Sequence, residues 1–227
     1  MRRVSSSSIA RRTRSPIISS EDENGNDVSS KLAEIGVGIE PRCVAVSPTD
    51  VLAFVTNGAS GTVSVVNLVI GQVVQTITVG TEPRGCALTS DGSLLYVANH
   101  TDGTVSIIST AALQVAGTVK VGRNPTAIAI TDKGTASISD DTVFVTEIFA
   151  ELIPHGPGEG RDLGKQGVVF AFPAGVANPP VTKIILSPLH ESGFSANRVR
   201  ISVPAHIQLM SQIRSFARTR ICRSPIR

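Results

Sequence analysis

The chain has 227 residues, 21 Lys and Arg against 18 Asp and Glu, 4% aromatic residues and no Trp. No apolar run reaches the ~18 residues of a helical span, so none is expected in a membrane, and the plentiful Val, Ile and Thr favour strands over helices. The net charge of +3 conceals a division, because five arginines stand in the first 14 residues and seven in the last 30, leaving nine basic residues and all 18 acids between them. The body is therefore acidic, and nucleic-acid binding is not expected of it.

In chain order, residues 1–30 read as a disordered basic tail. Its two Arg pairs are not followed by the apolar segment of a secretory signal. Residues 31–37 then read as a strand without a sheet of its own. From there one pattern occurs three times, as Val37-Gly38-Ile39-Glu40-Pro41-Arg42, Val79-Gly80-Thr81-Glu82-Pro83-Arg84 and Val121-Gly122-Arg123-Asn124-Pro125-Thr126, at a step of 42 residues. A repeat of about 40–45 residues is the mark of a propeller blade, one four-stranded sheet per repeat.

The first unit, 38–79, divides into strands 42–46, 52–56, 61–66 and 72–79, with Ser47-Pro48-Thr49-Asp50 and Asn57-Gly58 at its turns. The second, 80–121, repeats this with strands 84–88, 94–98, 104–108 and 114–121 and turns at Asp91-Gly92 and Asp102-Gly103. Asn-Gly and Asp-Gly suit tight hairpins because they tolerate positive φ. The third, 122–186, starts in register at 125–130, but its second strand (142–146) arrives six positions late and an insertion over 147–166 precedes its third (167–172). Strand 181–186 ends it, and 190–227 reads as a second disordered tail.

The expected fold is all-β, a partial β-propeller of about three four-stranded blades over 31–189 with disordered basic tails. Because a ring needs about four blades or more, the chain reads as a segment of a larger propeller. Translation of the Arg-rich ends outside the frame of the repeats would account for the abrupt change of composition at Arg198.

The second strands read Phe54-Val55-Thr56-Asn57, Tyr96-Val97-Ala98-Asn99 and Phe144-Val145-Thr146-Glu147, followed by Gly-Thr-Val-Ser twice and by Gly-Val-Val. This resembles the propeller repeat family named for its Tyr-Val-Thr-Asn tetrapeptide, related to lactonase-type propellers and to surface-layer proteins. The resemblance covers residues 31 to about 186. It implies a propeller, a secreted, periplasmic or cell-surface setting, and no single activity.

Candidate ligand-binding residues are those that propeller topology brings to one end of the channel: Glu40, Arg42, Glu82 and Arg84 of the Pro turns, Asn57 and Asn99 of the second-strand turns, and His155, Glu159 and Asp162 of the insertion. The Glu and Arg residues could equally satisfy their own turns and each other. Glu147, Glu151 and His155 have helical spacing, but Pro154 interrupts it, and Glu159 and Asp162 lack the spacing of a calcium loop. No nucleophile stands beside His100, His190 or His206 in any motif, and no Cys-x-x-Cys-His occurs, so no catalytic residue, metal or cofactor is expected. Cys43, Cys86 and Cys222 are odd in number; Cys43 and Cys86 fall on adjacent innermost strands and read as buried small apolar residues more readily than as a disulfide.

The function these features favour is a non-enzymatic propeller segment for protein or surface interaction, with other proteins or further blades as partners. The alternative is part of a lactonase-type or redox-associated enzyme whose site is incomplete here.

Overall fold

The computed structural model describes residues 2–4, 14–21, 27–132, 134, 137–158 and 164–188. Glu159, Asp162 and residues 190–227, including all seven C-terminal arginines, lie outside them. Three successive antiparallel sheets make up the described body. β4 (Pro41–Val46), β5 (Leu52–Asn57), β6 (Thr62–Asn67) and β7 (Gln72–Thr78) form the first in sequential order. β8 (Pro83–Leu88), β9 (Leu94–Asn99), β10 (Thr104–Ser109) and β11 (Gln114–Lys120) form the second. The third comprises β12 (Pro125–Ile130), β13 (Thr142–Glu147), β15 (Lys165–Pro173) and β16 (Thr182–Leu186), with the two-residue β14 (Glu151–Leu152) paired to the start of β15. The chain is a partial propeller of three four-stranded blades. A 3₁₀ turn, Ile138–Asp140, absorbs the delay of the third blade's second strand.

Two stretches carry further strands. Within 1–30, read as a tail, β1 (Arg2–Val4) and β2 (Arg14–Glu21) pair with β3 (Asp27–Gly36) as a three-stranded sheet in the order β1-β2-β3. The strand expected alone at 31–37 is therefore longer, and β2 satisfies the backbone groups along one of its edges. It enters the first blade through Val37-Gly38, as β7 enters the second through Val79-Gly80. At 147–166 the insertion is tied to the sheet, because Glu151 and Leu152 pair with Gln166 and Lys165 and extend the third strand backward.

Alternation along the central strands gives each blade two apolar faces, as period-two side chains must. Phe54, Val63, Val65 and Ile77 of the first blade pack on Leu95, Val97 and Ile108 of the second. Tyr96, Val105, Ile107 and Val119 on the second blade's other face pack on Val143, Val145, Val168, Phe170 and Phe172 of the third. The first blade's remaining face, with Ala53, Val55, Val66 and Leu68, is met by Ile35 of β3.

The glycine of Val-Gly-x-x-Pro has a steric cause. A Cβ on Gly38 would lie 2.6 Å from Cγ of Asn57, one on Gly80 2.6 Å from Cγ of Asn99, and one on Gly122 1.8 Å from Oε1 of Glu147. The last residue of each second strand lies against the blade-entry turn of its own repeat, and only a hydrogen leaves room. Asn57-Gly58, expected to supply the turn's positive φ, does not. Asn57 ends β5 with its side chain buried, and the left-handed backbone falls on Gly61 (φ 63°), as on Gly103 (φ 66°) in the second blade.

Cys43 and Cys86 are joined, S–S 2.31 Å and Cα–Cα 5.9 Å, contrary to their reading as separate apolar residues. They occupy β4 and β8, the innermost strands of neighbouring blades, at repeat positions one residue apart.

Candidate functional site

At one end of the blades, the turn leading into each innermost strand is bonded to the turn after the second strand. The N–H of Gly58 donates to the Glu40 carbonyl at 2.8 Å, that of His100 to Glu82 at 3.1 Å and that of Ile148 to Asn124 at 3.2 Å. This thrice-repeated contact gathers Glu40, Arg42, Glu82, Arg84 and the base of the insertion at one rim.

Glu40 and Glu82 adopt left-handed backbone (φ 62° and 56°), unusual for residues other than glycine. The conformation turns each carboxylate back on the arginine two residues later. Arg42 ion-pairs with Glu40. Arg84 donates from Nε at 3.0 Å and from Nη2 at 2.6 Å, both to Oε1 of Glu82, whose Oε2 accepts from the Thr101 hydroxyl at 2.9 Å. The second pair is the more enclosed: its side chains are 23% and 29% exposed, against 41% and 40% for Arg42 and Glu40.

The Arg84 hydrogen bonds hold the Glu82 carboxyl below its usual range; partial burial opposes the shift, while the Thr101 hydroxyl and the Arg84 charge reinforce it. Burial likewise pushes Asp91 upward but is outweighed by donors from the Thr89 hydroxyl and the Ser93 N–H and hydroxyl, so its carboxyl is also held low. Both folded-state values lie below the unfolded ones. Their stabilisation is complete above the ordinary carboxylate range and is lost as pH falls through the folded values. Thermal midpoints should be flat near neutrality and decline below about pH 4.5. Glu82→Gln should make the decline shallower, and an unchanged acid limb in that variant would show that the Glu82 cluster does not contribute.

In the third blade Asn124 and Thr126 replace the Glu and Arg, and a neutral network replaces the ion pair. His100 reaches it from the second blade. Its Nδ1 lies 3.2 Å from the Pro125 carbonyl and 3.3 Å from the Thr126 hydroxyl, and its Nε2 lies 3.4 Å from the Asn124 amide nitrogen. An Nδ1–H tautomer, donating to Pro125 and accepting from Asn124 at Nε2, satisfies these contacts. His100 is buried. No sequence motif marked it, because its partners belong to the following repeat.

Asn57 and Asn99, named as ligand candidates, are 0% and 1% exposed. The Asn57 amide donates to Thr62 and Ser64 at 3.1 and 2.9 Å, and that of Asn99 to Thr104 and Ser106 at 3.0 and 2.8 Å. They tie second strand to third and present no surface at the rim. Oδ1 of Asn99 accepts from the Gly80 N–H at 3.2 Å, whereas Oδ1 of Asn57 is buried without a protein hydrogen bond.

Glu147, Glu151 and His155 do not share a helix face, because strand and turn take the place of helix. Oε1 of Glu147 accepts from the Arg123 N–H at 2.5 Å, the place Asp102 fills in the second blade by accepting from Thr81 at 2.7 Å. Glu151 takes Lys183 at 2.6 Å, and His155 stands exposed in left-handed backbone at φ 60°. The insertion instead presents apolar groups, with Ile148, Phe149 and Leu152 all exposed. A hydroxyl-rich cleft of about 420 Å³ opens between Val37-Gly38 and the first blade, lined by Ser60, Thr62, Ser64 and Thr76.

No family model matches the chain, and no curated protein matches it. Among solved structures, the chain is similar to hydrazine synthase of Kuenenia stuttgartiensis with a TM-score of 0.60 and 18% identity, over 77% of this chain and 44% of that one. Apo AztD from Citrobacter koseri aligns over 51% of this chain and 31% of its own with a TM-score of 0.42 and 15% identity. The first likeness supports the propeller architecture at the level of fold. This chain spans less than half the length of the hydrazine synthase chain it matches.

Proposed function

We propose that the chain is a non-enzymatic propeller segment of the Tyr-Val-Thr-Asn repeat kind, which binds other proteins or further blades through the free side of its third blade and the insertion beside it. The observation that carries this is a change of burial at one repeat position. Phe54 and Tyr96 are fully buried between blades, whereas Phe144, at the same place in the third blade, is only half-buried. Beside it Ile148, Phe149 and Leu152 of the insertion are exposed. Several exposed apolar side chains close together in the chain mark a candidate interaction surface. The rim supports the same reading, since the carboxylates of Glu40 and Glu82 already engage Arg42, Arg84 and Thr101, as turn-stabilising groups do.

Sedimentation velocity across a wide range of protein concentration tests the patch. Reversible association that disappears in Phe149→Asp/Leu152→Asp, with the circular dichroism unchanged, is the expected outcome. Purely monomeric behaviour of both proteins, together with equal binding of a hydrophobic dye, would count against the reading.

A further inference from the structure

We infer that Cys43 and Cys86 form a thiol-controlled clasp that fixes the spacing of the first two Glu-Arg turns at the channel rim. Three observations converge on it. The bonded strands β4 and β8 belong to different sheets, so no backbone ladder joins them. Their polar links are few: the Cys43 N–H donates to the Thr56 hydroxyl at 2.9 Å, that hydroxyl donates to the Arg84 carbonyl at 2.9 Å, and the Cys86 N–H donates to Sγ of Cys43 at 3.1 Å. The disulfide is thus the strongest connection between two innermost strands that begin with Pro41-Arg42 and Pro83-Arg84.

The next joint shows that the repeat does not need such a bond. Gly85 takes the place of Cys43 there, and a Cβ on it would stand 2.4 Å from the Thr126 carbonyl and 2.8 Å from Cα of Ala127. The second and third blades close by direct backbone approach. The first and second are held apart by a side chain and then tied through it. Tying is specific to this joint and lies directly below Glu40–Arg42 and Glu82–Arg84.

Accessibility makes the tie reversible. Both cysteines are half-buried on innermost strands, with Cys86 at the edge of the apolar layer between the first two blades. Closure removes two protons and two electrons from the paired thiols. A protein disulfide of the exchange-catalyst class, or glutathione disulfide, accepts them and leaves as thiols. A small dithiol reverses the step through a mixed disulfide. On opening, the apolar layer of Phe54, Val63, Val65, Leu95, Val97 and Ile108 still holds the two blades together, so the change is confined to the innermost strands and the turns above them. Closure belongs to an oxidising setting and opening to a thiol-rich one.

Hydrogen exchange of the full-length chain, carrying Cys222→Ser to remove the third thiol, tests this. Oxidised protein should resist alkylation at Cys43 and Cys86, and dithiothreitol should add two hydrogens to its intact mass. Amides of Pro41–Val46 and Pro83–Leu88 should then exchange about tenfold faster, with β12 and β13 unchanged, as local opening requires. Cys43→Ser should show the faster exchange without dithiothreitol and no response to it. Ready alkylation of both cysteines before reduction, or acceleration spread evenly over all three blades, would overturn the inference. Reduction of the otherwise wild-type chain supplies the same comparison if Cys43→Ser does not fold.

Discussion

Truncating Tyr96 to alanine is expected to lower stability by about 3–5 kcal/mol, the range for removing a fully buried aromatic side chain. Tyr96 is 0% exposed and sits in the layer between the second and third blades. Its ring lies 6.1 Å from that of Phe172, tilted by 52°, a geometry that adds to simple burial. Its hydroxyl oxygen accepts the Gly175 N–H at 2.9 Å, tethering the end of β15 across the joint. Burial pushes the phenol pKa up, and the Gly175 bond only partly offsets it, so the hydroxyl stays neutral through the ordinary range. Tyr96→Phe keeps the ring and should cost about 1 kcal/mol, the net worth of one hydrogen bond. Urea unfolding followed by circular dichroism separates the two, since Tyr96 is the chain's single tyrosine and there is no tryptophan to supply fluorescence in its variants. A loss below about 1.5 kcal/mol for Tyr96→Ala would mean that the joint repacks, against the small relaxation expected of a dense core.

The first two blades were legible strand by strand because their turns carry chemistry. Asp50 and Gly92 hold left-handed backbone where Ser47-Pro48-Thr49-Asp50 and Asp91-Gly92 predict turns, and each strand begins or ends within a residue of its expected place. The third blade's delay was legible as a length, but its 3₁₀ form was not, because Ile138–Asp140 carries no repeat signal. Nor was β14, whose two residues become a strand only through pairing with Lys165 and Gln166. At the rim, Glu40 and Arg42 could be paired from sequence because both lie in one turn. Asn57 and Asn99 could not be assigned to the interior, since recurrence says that a residue matters and not which way it faces. His100 and the Cys43–Cys86 bond were out of reach for one shared reason. Each depends on the stagger between neighbouring blades, which a repeat period alone does not contain.

Gly80→Ala is expected to destabilise the chain by about 1–3 kcal/mol, the cost of overpacking a filled site. The new Cβ would lie 2.5 Å from Oδ2 of Asp102 and 2.6 Å from Cγ of Asn99. Asp102 is exposed and can swing aside, at the cost of its bond to the Thr81 N–H. Asn99 cannot, because its amide is held by Thr104 and Ser106 and its Oδ1 accepts the Gly80 N–H. Asn99→Ala alone should cost about 1–3 kcal/mol through the buried groups it leaves unpaired. Combining the two changes removes the obstacle to the methyl group, so the double variant should lose less than the sum of the singles by about 0.5–3 kcal/mol. Strict additivity would show that the motif glycine answers to backbone conformation and not to the asparagine. The third blade offers a sharper form of the same test. Gly122→Ala faces the Glu147 carboxylate at 1.8 Å, and that carboxylate also accepts the Arg123 N–H at 2.5 Å, so the methyl group must displace the acceptor that closes its own turn. Val-Gly-x-x-Pro and the tetrapeptide ending in Asn or Glu are then one steric device written in two parts of each repeat, which is why the exchange of Asn for Glu in the third blade leaves its glycine in place.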